Sequence, residues 1–297
     1  MKKSGRIIHR FGVALAALTL CGLTATVASA TPSTQIWIPS TDIQPYKTVH
    51  LNFDTYLRAN SNDDGSRTPP VVVIGPTVGV LPFPKIQAEV GFDVISAGGD
   101  ADKYPLYGHF KLGTPEDSVF KLSPAVAVGM YNIGTKSGDA RNGELATDQN
   151  LVYGLVAKTV PVVGRLSAGY FVGNKKVLLD ENGKSDEKGV LLSWDRTMTE
   201  ISDKLWMAVD YQGSKSALGA LSFGASWAFA KNVSLILGYD IYNERRTGGE
   251  NTVTMQLDIN FPLSADRPKR VPPPAGAVGT APASLPRAGG TTQGESK

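Results

Sequence analysis

Two histidines, His50 and His109, offer the main candidates for chemistry in this sequence. An imidazole beside a hydroxyl and a carboxylate or amide can activate a nucleophile, and together with Asp54 the two histidines could contribute ligands to a metal ion. However, neither histidine stands in a Gly-x-Ser-x-Gly, His-Glu-x-x-His or phosphate-loop pattern. The sequence therefore favours histidines in polar hydrogen-bond networks, and it predicts no enzyme, no metal site and no cofactor.

Two short segments have the oxygen-rich composition of calcium loops. They are residues 62–65, Asn-Asp-Asp-Gly, and residues 180–183, Asp-Glu-Asn-Gly. Neither segment has the full ligand spacing of a known calcium loop. Solvated turns are the favoured interpretation of both.

The first 30 residues have the three regions of a secretory signal peptide. Basic residues and no acidic ones begin the chain, an apolar run follows at 12–23, and Ala28-Ser29-Ala30 is a small-residue cleavage pattern. A transmembrane helix is disfavoured because the apolar run is short. A lipoprotein signal at Cys21 is disfavoured because Leu20 precedes it. We therefore expect export, with cleavage after Ala30.

Removal of residues 1–30 changes the composition of the chain in two ways. The full chain has 30 basic and 27 acidic residues, and loss of four basic residues leaves 26 against 27. The mature chain is thus nearly neutral and gives no reason to expect a nucleic-acid partner. The single cysteine is also removed, so that disulfides cannot stabilise the fold.

Alternation of apolar and polar residues runs through the chain after residue 46. In residues 251–261 every second residue from Val253 to Phe261 is apolar, and a strand separates the two sets onto opposite faces. Residues 49–58, 86–94 and 233–241 show similar alternation. The predicted strands are 47–58, 70–81, 85–96, 104–112, 124–133, 149–159, 163–172, 188–196, 204–212, 217–229, 232–242 and 251–261. Pro76 lacks a ladder donor, which predicts a bulge or a shorter second strand.

These strands have the length and the connections of a membrane barrel. Most contain about 9 to 12 residues, close to the length of a tilted membrane-spanning strand. Short turns alternate with polar loops such as 59–68, 135–148, 173–187 and 243–250. Aromatic residues stand near strand ends, where girdles form at the two membrane interfaces: Tyr170, Trp194, Tyr211, Trp227, Phe229 and Phe261. We predict an all-β, up-and-down antiparallel transmembrane barrel of about 12 strands, and a soluble lipocalin-like barrel is the alternative.

The last predicted strand carries a more specific signal. Residues 251–261, Asn-Thr-Val-Thr-Met-Gln-Leu-Asp-Ile-Asn-Phe, resemble the terminal strand of bacterial outer-membrane β-barrel proteins of the porin-like kind. The resemblance implies insertion into outer-membrane lipid and recognition of this strand by the barrel-assembly machinery. The chain departs from the commonest pattern because 36 residues follow Phe261. An even strand count places both termini in the periplasm.

Two segments flank the predicted barrel, which extends over residues 47–261. Residues 31–46 include Ile36, Trp37 and Ile38 and could form a thirteenth strand, a plug or a periplasmic arm; the arm is the favoured interpretation because a thirteenth strand would spoil the even closure. Residues 262–297 are rich in Pro, Ala and Gly and predict a disordered periplasmic tail. A sharper hypothesis is that this tail touches a periplasmic partner or the cell wall.

The inner face of the predicted barrel is the candidate functional site. Alternation places on it the residues His50, Asp54, Arg58, Glu89, Asp93, His109, Lys111, Lys158, Arg165, Asp195, Asp210, Asp240 and Asp258. Charged rings can set the selectivity of a pore, and an acidic excess favours cations. The leading hypothesis is a narrow passive channel for small polar solutes or ions. The alternative is a non-conducting scaffold that displays its loops or docks a periplasmic partner through its tail.

Overall fold

The computed structural model describes residues 33–62 and 64–263. The predicted signal peptide and the predicted tail from residue 264 onward lie outside the described residues, as does Asp63. Twelve strands of 8 to 11 residues make up most of the described chain. They are β1 Thr48–Arg58, β2 Val71–Gly79, β3 Gln87–Ser96, β4 Leu106–Thr114, β5 Ala125–Gly134, β6 Leu151–Val160, β7 Gly164–Val172, β8 Lys188–Thr197, β9 Leu205–Gln212, β10 Ala220–Ala230, β11 Val233–Tyr242 and β12 Thr252–Pro262.

The strands close into one antiparallel barrel. Each strand pairs with its neighbours in sequence, and β1 pairs with β12 from Thr48 opposite Pro262 to Arg58 opposite Thr252. Closure leaves no sheet edge, so the ladder supplies backbone partners all the way round. The predicted fold class is confirmed.

The ladder between β2 and β3 is interrupted beside Pro76, as its missing N–H requires. Pairing stops after Ile74 opposite Val94 and resumes at Thr77 opposite Gly91 in the same register. The predicted bulge or shortened strand is therefore a gap in the hydrogen-bond ladder, and the register of the two strands is the same on both sides of the gap.

The two ends of the barrel differ. At the end that we call the terminal end, β1 begins and β12 ends, and the N–H of Leu263 donates to the carbonyl of Lys47. At the opposite end, called the loop end, the longest connections are residues 59–70, 135–150 and 173–187. Short helical turns lie in the connections at this end, namely Asp100–Lys103, Ala140–Asn142 and Arg245–Gly248.

Alternation separates an apolar outer face from a largely polar inner face. Large apolar side chains are exposed on the outside of every part of the wall, for example Phe53, Phe92, Phe110, Val152, Leu192, Met207, Phe223, Leu237 and Met255. The inner face buries polar residues that include His50, Glu89, Lys111, Asp195, Asp210, Gln212, Asp240, Thr252, Gln256 and Asp258. This polarity is the reverse of a soluble barrel and matches a barrel surrounded by lipid.

Among the described residues, no helix has the length and apolar character needed to cross a membrane.

The interpretation of residues 31–46 as a periplasmic arm is wrong. Residues 33–46, which we call the plug, lie inside the barrel, where Ile36 and Ile38 are 1% and 0% exposed. The plug begins with a tight hairpin, because the N–H of Gln35 donates to the carbonyl of Ile38 and the N–H of Ser40 donates to that of Ser33. Burial of the two isoleucines removes apolar surface from water, which an extended arm would leave exposed.

Candidate functional site

The plug spans the lumen from one end of the barrel to the other. At the terminal end Tyr46 forms a bridge with Gly79, the last residue of β2. At the loop end the indole N–H of Trp37 donates to the carbonyl of Leu218 at 2.8 Å. The Trp37 ring packs edge-on against Tyr56 and Tyr242, with centroids 5.4 and 5.6 Å apart. The plug hairpin therefore reaches the aromatic residues where β1 and β11 end.

Side chains of the wall hold the main chain of the plug. One Asp210 oxygen accepts the N–H groups of Ile36 and Trp37 at 2.7 and 3.0 Å. Glu89 accepts the N–H of Gln44 at 2.7 Å, on the opposite side of the barrel. These charge-assisted hydrogen bonds are stronger than neutral ones. They fix the plug on both sides of the lumen.

Two apolar seats hold the plug's isoleucines. Ile36 packs in one buried cluster with Trp206, Ala208 and Ile236. Ile38 packs in a second cluster with residues of β6 to β8 and with Leu178 of a loop-end connection: Leu151, Tyr153, Leu155, Phe171 and Leu191. The plug and this loop thus cover two apolar parts of the inner face.

The lumen is narrowed next to the plug hairpin. The hydroxyl of Tyr131 on β5 donates to Gln212 on β9 at 2.9 Å, which joins non-adjacent strands. Tyr131 also packs against Tyr153 with ring centroids 5.8 Å apart. Aromatic side chains and the plug therefore narrow the loop end of the barrel.

A cavity of 470 Å³ remains beside the plug. Residues of β1 to β5 form much of its wall, and Trp37 and Pro39 of the plug also contribute. Its acidic, basic and histidine residues are His50, Asp54, Arg58, Glu89, Asp93, His109, Lys111 and Asp258. The sequence analysis places all eight on the inner face, and the structure brings them together around one space.

Both histidines are fixed by neighbouring side chains. His109 Nε2 lies 2.8 Å from the Thr77 hydroxyl, and His109 Nδ1 lies 3.0 Å from the Asp93 carboxylate. His50 lies 3.2 Å from Asp258 and 3.0 Å from Asn260. A hydroxyl, an imidazole and a carboxylate in this order can activate a nucleophile. Thr77, however, is only 3% exposed, so the arrangement is a hydrogen-bond network within the wall.

The carboxylates of the cavity are not balanced by free cations. Glu89 and Lys111 form a buried pair at 3.1 Å, and Lys111 also donates to the carbonyls of Ser33 and Asp42. Arg58 donates to the carbonyls of Gly248 and Glu250. Asp54 accepts only the Asn52 amide among its described hydrogen bonds. Asp93 and Asp258, which line the same cavity, therefore give it an acidic character.

Four more residues predicted on the inner face lie outside the cavity. Arg165 and Asp195 bind the plug, since Arg165 contacts Asp42 and Asp195 accepts the side-chain amide of Gln35 at 2.9 Å. Asp210 binds the plug main chain, and Asp240 accepts the hydroxyl of Thr252 at 2.7 Å.

The prediction that Lys158 lies on the inner face is wrong. On β6 the buried residues Leu151, Tyr153, Leu155 and Ala157 alternate with the outward set that contains Lys158. The Lys158 ammonium pairs with Glu116 at 2.7 Å and with Asp117 at 3.2 Å, both in the connection before β5. Both faces of β6 are apolar, so its sequence carries no clear signal of orientation.

Several residues of the site carry no sequence signal. Asp42, Gln35 and Trp37 belong to a segment without strand periodicity, and Thr77 and Tyr131 are ordinary strand residues. The one available signal is the Ile-Trp-Ile group at 36–38, which is an apolar patch in a polar segment.

In each of the two calcium-like segments, a described carboxylate accepts hydrogen bonds within its own turn. Asp64 accepts the N–H and the hydroxyl of Ser66 at 2.8 and 2.6 Å. Asp180 accepts the N–H groups of Lys184 and Asn182, and the hydrogen bond from Lys184 lowers its pKa most. Within the part of the chain that the structure describes, no three His, Cys, Asp or Glu side chains are grouped to hold a metal ion.

Comparison with known proteins gives distant structural similarities. No protein-family model and no curated protein sequence matches the chain. An outer membrane channel from Pseudomonas putida F1 superposes with a TM-score of 0.44 and 13% identity, covering 81% of this chain and 100% of that one. Salmonella typhi OmpF, solved with daunomycin, superposes with a TM-score of 0.39 and 8% identity, covering 72% of this chain and 96% of that one. The NanC porin superposes with a TM-score of 0.38 and 11% identity, covering 71% of this chain and 97% of that one. These values assign no function to the chain.

Proposed function

We propose that this protein is a bacterial outer-membrane barrel that forms a narrow passive channel for small polar solutes or ions. The observation that carries the proposal is the 470 Å³ cavity between the plug and the wall of β1 to β5. An apolar outer face and a charged inner cavity are what a lipid-embedded, water-lined path requires. The path runs beside the plug and is narrowed near Tyr131 at the loop end.

The charge of the cavity supports passage of cations over anions. Lys111 is paired with Glu89 and Arg58 binds carbonyl groups, whereas Asp93 and Asp258 add negative charge. A ring or cluster of carboxylates lowers the energy of a cation in a pore and raises that of an anion. We therefore propose a cation preference.

The barrel begins with β1 and ends with β12 at the terminal end. We propose that this end faces the periplasm, because export delivers the chain from that side and the long connections then face outward. Residues 264–297 would then begin in the periplasm, where they could touch a partner or the cell wall.

Planar-bilayer recording of the purified mature chain tests the channel. We expect small, ohmic single-channel current steps. In a salt gradient, the reversal potential of the current should shift toward the equilibrium potential of the cation. A non-conducting scaffold is the second candidate, and the plug across the lumen favours it. Silent insertion, with correct folding verified by heat-modifiable migration on gels, would support the scaffold and reject the channel.

A further inference from the structure

We propose that the wall facing the plug is a peptide-binding site inside the barrel, that residues 33–46 are its built-in occupant, and that this occupant is exchangeable. The inference rests on the proposed channel, because it makes the plug an autoinhibitory segment that closes the larger part of the lumen. The ligand class is a short turn-forming peptide with an aromatic residue between two branched apolar residues, as in Ile36-Trp37-Ile38.

Recognition of the plug is directed largely at its main chain. Asp210 accepts the N–H groups of Ile36 and Trp37. The side-chain amide of Gln256 donates to the carbonyl of Ile36 at 2.8 Å. Glu89 accepts the N–H of Gln44 at 2.7 Å. Main-chain groups are shared by all peptides, so such contacts give affinity, while pockets for side chains give specificity.

Three side-chain seats supply that specificity. Ile36 and Ile38 enter two separate apolar clusters, and Trp37 lies between Tyr56 and Tyr242 with its N–H on Leu218. The seats fit one hairpin with alternating branched and aromatic side chains. A peptide of the same composition in another order would not place these groups together.

The wall beneath the plug has the composition of a pore lining. Hydroxyl residues line much of it, namely Ser167, Ser193, Ser222, Ser226, Thr252 and Thr254, all of which are buried. The hydroxyls of Ser167 and Ser193 have no hydrogen-bond partner among the described residues. A segment fixed permanently in place would be expected to pack on apolar side chains, because unpaired buried hydroxyls are costly. The hydroxyl groups of this wall can form hydrogen bonds with water if the plug is displaced.

The connection to β1 places the plug on a short tether. Lys47, between the plug and β1, has a φ of 59°, which is uncommon for a residue other than glycine. Pro45 precedes it by two residues. The Lys47 N–H donates to the carbonyl of Gly79 and its carbonyl accepts the N–H of Leu263, so the tether stays anchored to the wall when the plug leaves.

The test uses the full mature chain with the plug anchors changed. Ile36→Asp combined with Ile38→Asp places charges in two apolar seats and should expel the plug, while the wall is unchanged. We expect a several-fold rise in single-channel conductance. A synthetic peptide of residues 33–44, added to this variant, should restore the low conductance, whereas a scrambled peptide of the same composition should not.

The wall variant Asp210→Ala, added to the plug-release variant, should weaken block by the peptide about tenfold, because hydrogen bonds to a charged acceptor are lost. Asp180→Ala is the matched control, since it removes one carboxylate whose described hydrogen bonds are to the N–H groups of Asn182 and Lys184 in its own turn. Equal peptide block in both variants would overturn the proposed site.

A second variant keeps the test valid if the charged substitutions prevent folding. The mature chain has no cysteine, so Ile38→Cys with Leu155→Cys creates a unique pair within one packed cluster. We expect brief openings in the reduced protein that disappear after oxidation. Identical current records before and after oxidation of the cysteine variant would contradict an exchangeable plug. A raised conductance of the aspartate variant that the added peptide does not reduce would contradict it as well. Absence of current from every form, including the wild type, would instead reject the proposed channel.

Discussion

The Arg165 guanidinium on β7 holds Asp42 of the plug through one nitrogen, Nη1, which lies 2.6 and 2.7 Å from the two carboxylate oxygens. Its Nε donates at the same time to Asp195 on β8 at 2.9 Å. One side chain therefore joins the plug to two strands of the wall. The planar fork of arginine allows both contacts, whereas a lysine ammonium would supply only a point charge.

Arg165→Ala should loosen the plug and increase conductance. The substitution leaves the carboxylates of Asp42 and Asp195 without their shared partner, and hydrogen bonds to charged groups contribute about 1.5–3 kcal/mol. Because the Asp42 side chain is 37% exposed, solvent screening reduces this contribution and we expect about 1 kcal/mol. Single-channel recording checks the conductance, and denaturant titration in lipid checks the stability. Arg165→Lys should give an intermediate effect, and unchanged conductance in both variants would show that this contact does not hold the plug.

Gly91→Ala should disturb the histidine network without touching the plug. A Cβ on Gly91 would stand 2.3 Å from His109 Nε2 and 2.5 Å from the Pro76 carbonyl oxygen. Overpacking of this kind costs about 1–3 kcal/mol, and the hydrogen bond between Thr77 and His109 should break. The unfolding midpoint in denaturant and the imidazole NMR signals measure these effects.

Gly154→Ala is the matched control for this substitution. Its added Cβ would meet one side-chain carbon of Val128, at 3.9 Å. The unfolding midpoint of this variant in denaturant should equal that of the wild type. Equal stability of the Gly91 and Gly154 variants would refute the close packing of His109 against β3.

Lys111→Met should strongly destabilise the barrel. Lys111 and Glu89 are 3% and 2% exposed in their side chains, and removal of one partner from a buried ion pair costs about 3–5 kcal/mol. The double variant Glu89→Gln with Lys111→Met should recover part of this loss, because no charge is then left unpaired. Denaturant titration of the single and double variants measures the recovery, and additive losses would exclude the coupling.

Asp93→Asn should reduce the cation preference of the current. The Asp93 carboxylate lines the cavity, and its neutralisation removes negative charge from the path of the ion. The reversal potential in a tenfold salt gradient should move toward zero. Lys158→Gln should leave it unchanged, because Lys158 lies on the outer face beside Glu116 and Asp117. A shift caused by Lys158→Gln alone would contradict the orientation of β6.

The strands could be predicted from the sequence because each has its own local pattern. From Val253 to Phe261 apolar and polar residues alternate, and the structure places the apolar set outside and Thr254, Gln256 and Asp258 inside. On β6 the pattern fails because Leu151 and Tyr153 face inward while Val152 and Val156 face outward. The inner face of β6 is apolar where Ile38 covers it, and this contact partner is distant in sequence.

The plug could not be predicted for a related reason. Its partners Glu89, Asp195 and Asp210 lie 45 to 174 residues away in sequence. No local periodicity records such contacts, since a hairpin of this size has neither the helical nor the strand repeat. The cavity could not be predicted from the sequence either, because its shape depends on where the plug lies.

Ions are proposed to pass between the plug and the wall of β1 to β5. Because residues 31–297 contain no cysteine, Asn52→Cys and Ser193→Cys in a protein of those residues each place one thiol in the lumen, Asn52 on the cavity and Ser193 in the buried wall of β8. A small cationic thiol reagent should modify the Asn52→Cys channel and reduce its current in one step, while the Ser193→Cys current should persist. Rapid block of Ser193→Cys with no effect on Asn52→Cys would place the path elsewhere and contradict the account.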